Sequence, residues 1–369
     1  MDSPHVSVQK FGQSIWYDNI RRGLITSGEL HDLVTHGGVL GVTSNPAIFE
    51  KAIAGSTDYD ETLLELSKSN MSAQELFEAF AIEDIRAAAD LLRPIYDRTG
   101  GDDGYASLEV SPALAHDTPG TIAEAKRLFA ALDRPNVMVK VPATPEGIPA
   151  IRSLIGKAIN VNVTLIFSRD VYQQVAEAYI GGLEHLDKSG GDVSKVASVA
   201  SFFVSRLDSA VDALLEESIR NGNKEIKQLL GKAAIANAKL AYQDFKVIFG
   251  KSAFTALKGK GARTQRPLWA STGAKNPDDP PWKYVESLAG SDIQTNPPAI
   301  NQAVIESDLV FQKQVDQFPG STVLDEIDLE VDFQRLERVL MDEGIQKFAA
   351  PQKALLALIA DKRSAILAT

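Results

Sequence analysis

Short runs of β-branched and aromatic residues alternate along this chain with segments of helical period. The runs are Ser14 to Asp18, Val39 to Ser44, Tyr105 to Val110, Val137 to Val141, Val161 to Phe167, Val196 to Phe203, Pro267 to Ser271 and, more weakly, Asp292 to Asn296. Thr26-x-x-Glu29 reads as a capping box opening a helix that ends at Gly37-Gly38. Ser72-x-x-Glu75 opens another, with an apolar face of Phe77, Phe80, Ile85, Ala88 and Leu92. Strands separated by helices are joined by crossovers and run parallel. Eight such units in 369 residues predict an α/β protein, a (β/α)8 TIM barrel with extra helices, forming one domain over 1–369. An open doubly wound sheet is the alternative. The extra helices are expected in an insertion at about 46–104, holding at least two, and in a helical tail at about 306–369 with apolar patterns at Val331–Leu340 and Lys353–Leu367. Asn221-Gly222-Asn223 predicts a turn between two helices.

Composition narrows the function. A 44% hydrophobic and 24% charged chain has ordinary globular make-up, and a formal charge of -11 disfavours a nucleic-acid or anionic-membrane surface. A local basic pocket for a small anion, such as a phosphorylated metabolite, stays compatible with that charge. The chain has no cysteine, and its five histidines (His5, His31, His36, His116, His185) lack metal-ligand spacing, so no metal is expected. Met1 to Gly12 lacks an apolar signal core, and no stretch approaches the roughly 18 apolar residues that span a bilayer, so a cytoplasmic protein is expected. Gly250-Lys251-Ser252 lacks the upstream glycine of a phosphate-binding loop, because Phe245 stands there. The basic stretch Lys258 to Arg263 precedes the seventh run, which puts it at the end of the barrel opposite a site at the strand C-termini.

One residue breaks the apolar pattern. Lys140 stands in Asn136-Val137-Met138-Val139-Lys140-Val141-Pro142, where a strand covered on both faces carries apolar side chains. A lysine stripped of water tends to shed its proton, and the free amine can attack a carbonyl to form a Schiff base. A strand-end lysine can instead snorkel to solvent. Other polar residues close the remaining runs: Asp18, Thr43-Ser44-Asn45, Glu109, Asn162 and Thr164, Ser201 with Arg206 beyond, and Ser271. Singly, each has a plain explanation as a turn or cap residue. As staves of one barrel they converge on a single cavity.

The segments Gly41-Val42-Thr43-Ser44-Asn45-Pro46, Val139-Lys140-Val141-Pro142-Ala143-Thr144 with Glu146-Gly147-Ile148, Ile159 to Phe167, and Ser201-Phe202-Phe203-Val204-Ser205-Arg206 resemble transaldolases, in order and over about Ser14 to Pro298. The spacing is similar to the longer bacterial members with an extended helical tail. The resemblance implies a transferase that moves a dihydroxyacetone unit between sugar phosphates in the non-oxidative pentose phosphate branch. Lys140 then matches the Schiff-base lysine and Asp18 the acid-base carboxylate, while Glu109 and Thr164 match a pair that positions a water. Asn45 and Asn162 match groups that orient sugar hydroxyls, and Ser201 and Arg206 match phosphate-site positions; Phe203 can pack beside the sugar or belong to the core. Two departures stand out. Many transaldolases carry a second arginine shortly after the serine equivalent to Ser271, whereas this chain reads Ser271-Thr272-Gly273-Ala274-Lys275, so Lys275 is expected to take that place; Phe202 stands where a proline is frequent. The implied partners are small sugar phosphates, with no nucleic acid, no membrane and no cofactor, in a monomer or a homodimer. A Schiff-base aldolase releasing free dihydroxyacetone and a silent sugar-phosphate-binding barrel are the alternative functions. Aldolases of this kind tend to be shorter and to use a tyrosine as acid-base group, which counts for Asp18 and the transferase.

Overall fold

A computed structural model describes residues 4–318 and 322–367. Eight parallel strands close into a barrel in sequential order: β1 Ser14–Tyr17, β2 Val39–Val42, β3 Ala106–Glu109, β4 Val137–Pro142, β5 Val161–Ile166, β6 Ser198–Phe203, β7 Arg266–Ala270 and β8 Ile293–Asn296. Pairing of β1 with β8, Ser14 opposite Ile293 through Tyr17 opposite Asn296, shuts the ring and excludes the open sheet. All eight expected strands are present, with ends shifted by a few residues. β6 starts two residues late because Val193–Lys195 forms a 3-10 turn ahead of it.

The barrel floor, at the N-terminal ends of the strands, is a polar plug around two indoles. Trp16 Nε1 donates to Asp103 Oδ1 at 2.8 Å, and Trp269 Nε1 donates to Asp292 Oδ2 at 2.5 Å. Burial pushes Asp292 up to about 7, against the hydrogen bonds from Trp269 and Gln13 and the nearby Arg266 charge. Gly41 on β2 leaves the room that Trp16 occupies: a Cβ at this position would stand 2.5 Å from the indole ring. Gly41→Ala is therefore expected to destabilise the fold by about 1–3 kcal/mol, the usual range for overpacking a core, read as a lowered midpoint in urea. The basic stretch Lys258 to Arg263 also lies at this end, lining a groove with Gly12, Gln13 and the start of β6.

The insertion after β2 holds three helices, Pro46–Ala54, Asp60–Ser67 and Ala73–Arg98. The Ser72–Glu75 capping box forms in full, and the apolar face expected for the third helix is buried. The Thr26–Glu29 box does not form. Thr26 ends a short helix, Arg22–Thr26, and the next helix, Glu29–Thr35, begins after Gly28 at φ 86° with no side-chain cap. A long-range contact overrides the local signal: Arg22 at the start of the short helix is tied to Asp84 at 3.0 Å. Asn221-Gly222-Asn223 does separate helix Ser205–Arg220 from a 3-10 turn and helix Ala233–Gly250.

The tail differs most from expectation. Apart from Val331 and Asp332, its two apolar patterns lie in one helix of 35 residues, Phe333–Leu367, which continues through Gly344 and Pro351. Both residues disfavour helix interiors. Tertiary packing outweighs them, because Leu336, Leu340, Met341, Gly344, Ile345, Phe348, Gln352, Leu355 and Ile359 form one buried stripe. A shorter helix, Thr322–Asp328, precedes it. No helix among the described residues is long and apolar enough to cross a membrane.

Candidate active site

Strand register brings the chemistry together. Glu109 on β3 is the lateral partner of Lys140 on β4, and Lys140 is the partner of Asn162 on β5. The Lys140 side chain is 6% exposed and Glu109 5%, and Nζ lies 3.3 Å from Glu109 Oε2. This is an ion-pair approach without the alignment of a hydrogen bond; the aligned bond of Nζ goes to the Ser44 carbonyl at 3.1 Å. Lys140 thus points into the barrel instead of snorkelling outward.

Asp18 follows β1 and lines the same cavity. Its Oδ1 accepts from Thr43 Oγ1 at 2.7 Å, and Thr43 is bonded in turn to Thr295 at 2.6 Å, so strands β1, β2 and β8 fix the carboxylate jointly. Burial raises Asp18 above the usual carboxylate range, with the charges of Lys140 and Arg206 and the Thr43 bond opposing. Burial raises Glu109 as well, again opposed chiefly by Lys140. Both acids are therefore poised to hold or release a proton closer to neutrality than exposed carboxylates are.

The cavity at the C-terminal ends of the strands has a volume of about 550 Å³ and is lined by Asp18, Asn45, Lys140, Thr164, Ser201, Phe203, Arg206, Ser271 and Lys275 among others. Glu109 and Asn162 stand behind that lining. Asn162 bridges two strands, donating to Ser107 Oγ at 3.1 Å and accepting from Ser201 Oγ at 2.7 Å. Asn45 has a second task, since its Oδ1 caps helix Pro46–Ala54 by accepting from Ile48 N at 3.1 Å, while its amide nitrogen stays free to donate into the cavity. Thr164 and Glu109 share no hydrogen bond. Thr164 Oγ1, Glu109 Oε2 and Arg206 Nη1 are buried polar atoms with no hydrogen-bond partner among the described residues. Uncompensated groups of this kind are costly in a core and common where another molecule completes the set.

Backbone conformation at two strand ends is unusual. Leu165, directly after Thr164, has φ 61°, and β5 slips register against β6 between Val163 and Ile166; Ser271, after β7, has φ 56°. A bulge re-aims the side chains beside it, and left-handed non-glycine residues cluster at functional sites. Ser271 Oγ meets Ser205 Oγ at 2.8 Å, joining the loop that carries Lys275 to the start of the helix that carries Arg206. Lys275 reaches the cavity rim, where Arg21 and Lys51 add two cations that the strand-end pattern did not single out.

Phe348 also lies outside the strand-end pattern. It sits on the C-terminal helix, lines the cavity, and places its ring 5.4 Å from Lys140 Nζ. The tail therefore crosses the mouth of the barrel.

An eight-stranded parallel barrel with a lysine amine buried beside two carboxylates, at a cavity lined by further cations, holds the groups that Schiff-base chemistry on a small anionic carbonyl compound requires. The comparisons agree with that chemistry. Residues 15–359 match the family model described as transaldolase/fructose-6-phosphate aldolase, and the chain belongs to that family. It is 42% identical over 367 residues to a transaldolase of Trichodesmium erythraeum, covering 97% of each chain. It is 45% identical to a transaldolase of Thiobacillus denitrificans, covering 95% of this chain and 98% of the relative, and 44% identical to transaldolase 1 of Streptomyces avermitilis, covering 95% and 93%.

Proposed function

We propose that the protein is a transaldolase, which transfers a dihydroxyacetone unit from sedoheptulose 7-phosphate to glyceraldehyde 3-phosphate, and in reverse from fructose 6-phosphate to erythrose 4-phosphate. The observation that carries this reading is Lys140, buried beside Glu109 at 3.3 Å in one cavity with Asp18.

With fructose 6-phosphate as donor, proton transfer from the Lys140 ammonium to Glu109 yields a neutral amine, which adds to the C2 carbonyl. Glu109 with Thr164 handles the proton as the carbinolamine loses water to an iminium ion. Asp18 as carboxylate takes the C4 hydroxyl proton; the C3–C4 bond breaks, its electron pair neutralises the iminium as an enamine, and glyceraldehyde 3-phosphate leaves. The enamine then attacks the aldehyde of erythrose 4-phosphate, Asp18 returns its proton to the new hydroxyl, and water releases the seven-carbon ketose. Asn45 and Asn162 orient sugar hydroxyls, while Ser201, Arg206, Ser271 and Lys275 receive the phosphate. Phe203 covers one side of the chain of sugar carbons. Sugar phosphates are the partners, and cytoplasm is the compartment this role fits.

Borohydride tests the reading. Incubation with fructose 6-phosphate alone, then reduction, should leave a three-carbon dihydroxy unit on the peptide containing Lys140, seen by mass spectrometry. Formation of free dihydroxyacetone at the transfer rate without any acceptor would instead favour an aldolase, and an unmodified Lys140 would point to a binding protein.

A further inference from the structure

Arg206 is a cation of the proposed phosphate subsite, and nothing hydrogen-bonds its buried Nη1 among the described residues. Its nearest stacking partners are aromatic, with the charges of Asp18, Glu109 and Glu343 adding attraction. Its Cζ lies 5.1 Å from the Phe203 ring centroid and 5.8 Å from that of Phe348, so the guanidinium is flanked by two rings from different parts of the chain. Phe203 is itself braced, since its ring packs against Phe167 at 5.5 Å. Phe348 is 4% exposed and reaches Arg206 only because the C-terminal helix spans the mouth.

That helix is fastened along its length. Glu337 accepts from Ser168 Oγ at 2.6 Å, Gln352 accepts from Ser111 Oγ at 3.3 Å, and Lys362 donates to Asp60 at 2.8 Å. Arg363 donates to the carbonyls of Ser67, Ser69 and Met71, which closes the open end of helix Asp60–Ser67. Gly344, one turn before Phe348, lies so close to Leu165 that a Cβ would stand 2.8 Å from the leucine. The glycine lets the helix settle onto the bulge of β5 and brings Phe348 down to Lys140 and Arg206.

We propose that Phe348 is a positioning residue of the phosphate subsite: with Phe203 it holds the Arg206 guanidinium in a fixed plane, so that the C-terminal helix sets the preference for phosphorylated over unphosphorylated ketoses. The inference rests on the transaldolase reading. A ring face attracts a guanidinium and limits the planes it can occupy, which preorganises the two-pronged hydrogen bonding that a phosphate needs. Without the ring the arginine keeps its charge and loses its orientation.

Phe348→Met tests this, because methionine fills nearly the same volume without a π face, and Phe348→Tyr keeps the face. Transfer to erythrose 4-phosphate is measured with fructose 6-phosphate and with unphosphorylated fructose as donors. In Phe348→Met the ratio of kcat/KM for the two donors should fall by about fivefold to thirtyfold, mainly through a higher KM for fructose 6-phosphate, and Phe348→Tyr should retain the ratio within about twofold. A purely structural role would lower both donors together; an unchanged ratio in Phe348→Met, or equal losses in the Met and Tyr variants, would overturn the proposal. Absence of transfer and of a Lys140 adduct in the unmodified protein would overturn the transaldolase reading itself, and this proposal with it.

Discussion

Lys140→Met should lower transfer by about 10⁵-fold or more, the scale reached when a covalent nucleophile is deleted from a site whose other groups act only through it. Methionine follows the lysine stem out to Cε and lacks only the terminal amine, so Val139 and Val141 keep their packing. Glu109 loses its cation, and a buried carboxylate left alone is strongly unfavourable in its charged form. Burial already biases Glu109 toward protonation, so it takes up a proton and the barrel survives, at the cost of the Lys140 hydrogen bond to the Ser44 carbonyl. Lys140→Arg provides the complementary case: charge is retained, the nucleophile is lost, and turnover should be equally low. Circular dichroism establishes that both variants are folded, and borohydride adduct analysis reads the chemistry. More than about 1% of wild-type turnover in either variant would remove covalent catalysis from the account.

The part of this site that sequence makes legible is its floor. Each β-type run ends in a polar residue, and a parallel barrel brings such ends into one ring, so Asp18, Glu109, Lys140, Asn162 and Thr164 follow from period and position. Their mutual register, with Glu109 opposite Lys140 opposite Asn162, agrees with that placement. Backbone detail is less accessible. Leu165 and Ser271 are left-handed without being glycine, so nothing in their identity announces the bulge and the sharp exit that aim Thr164 and Ser271. Asn45 illustrates a different limit: as a cap and as a cavity group it gives the same sequence signal, and both assignments hold.

The roof of the site was out of reach for a physical reason. Gly344 and Pro351 read as breaks in a local helix signal, yet Gly344 is where the helix backbone comes close to Leu165 of the barrel. Where a helix docks depends on the surface offered by distant segments, here Leu165, Ser111, Ser168 and Asp60, and no local period encodes that surface. Phe348 consequently looks like one more apolar tail residue until the helix is laid across the strands. The same dependence on distant partners defeats the Thr26–Glu29 box, where Arg22 and Asp84 decide the helix start. Local signals survive where they agree with packing, as in the Ser72–Glu75 box.

Asp18→Asn should separate bond cleavage from imine formation. The amide keeps the size of the carboxyl group and can still accept from Thr43, but it cannot take the C4 proton, so transfer should fall by about 10²–10⁴-fold, the usual contribution of a general acid-base group. In the proposed mechanism imine chemistry at Lys140 proceeds through Glu109 and is spared. Borohydride trapping with fructose 6-phosphate should therefore still label Lys140, with a decisive difference in mass: the wild type retains three carbons, whereas Asp18→Asn retains the whole six-carbon sugar phosphate. The pH profile gives a second reading. Cleavage needs Asp18 deprotonated, and burial raises it above the usual carboxylate range; activity is thus full above that raised value and declines as pH falls through it. In Asp18→Asn this contribution to the acid limb should vanish, leaving the part set by Glu109, which burial also raises. A three-carbon adduct formed by Asp18→Asn at the wild-type rate would show that another group breaks the C3–C4 bond.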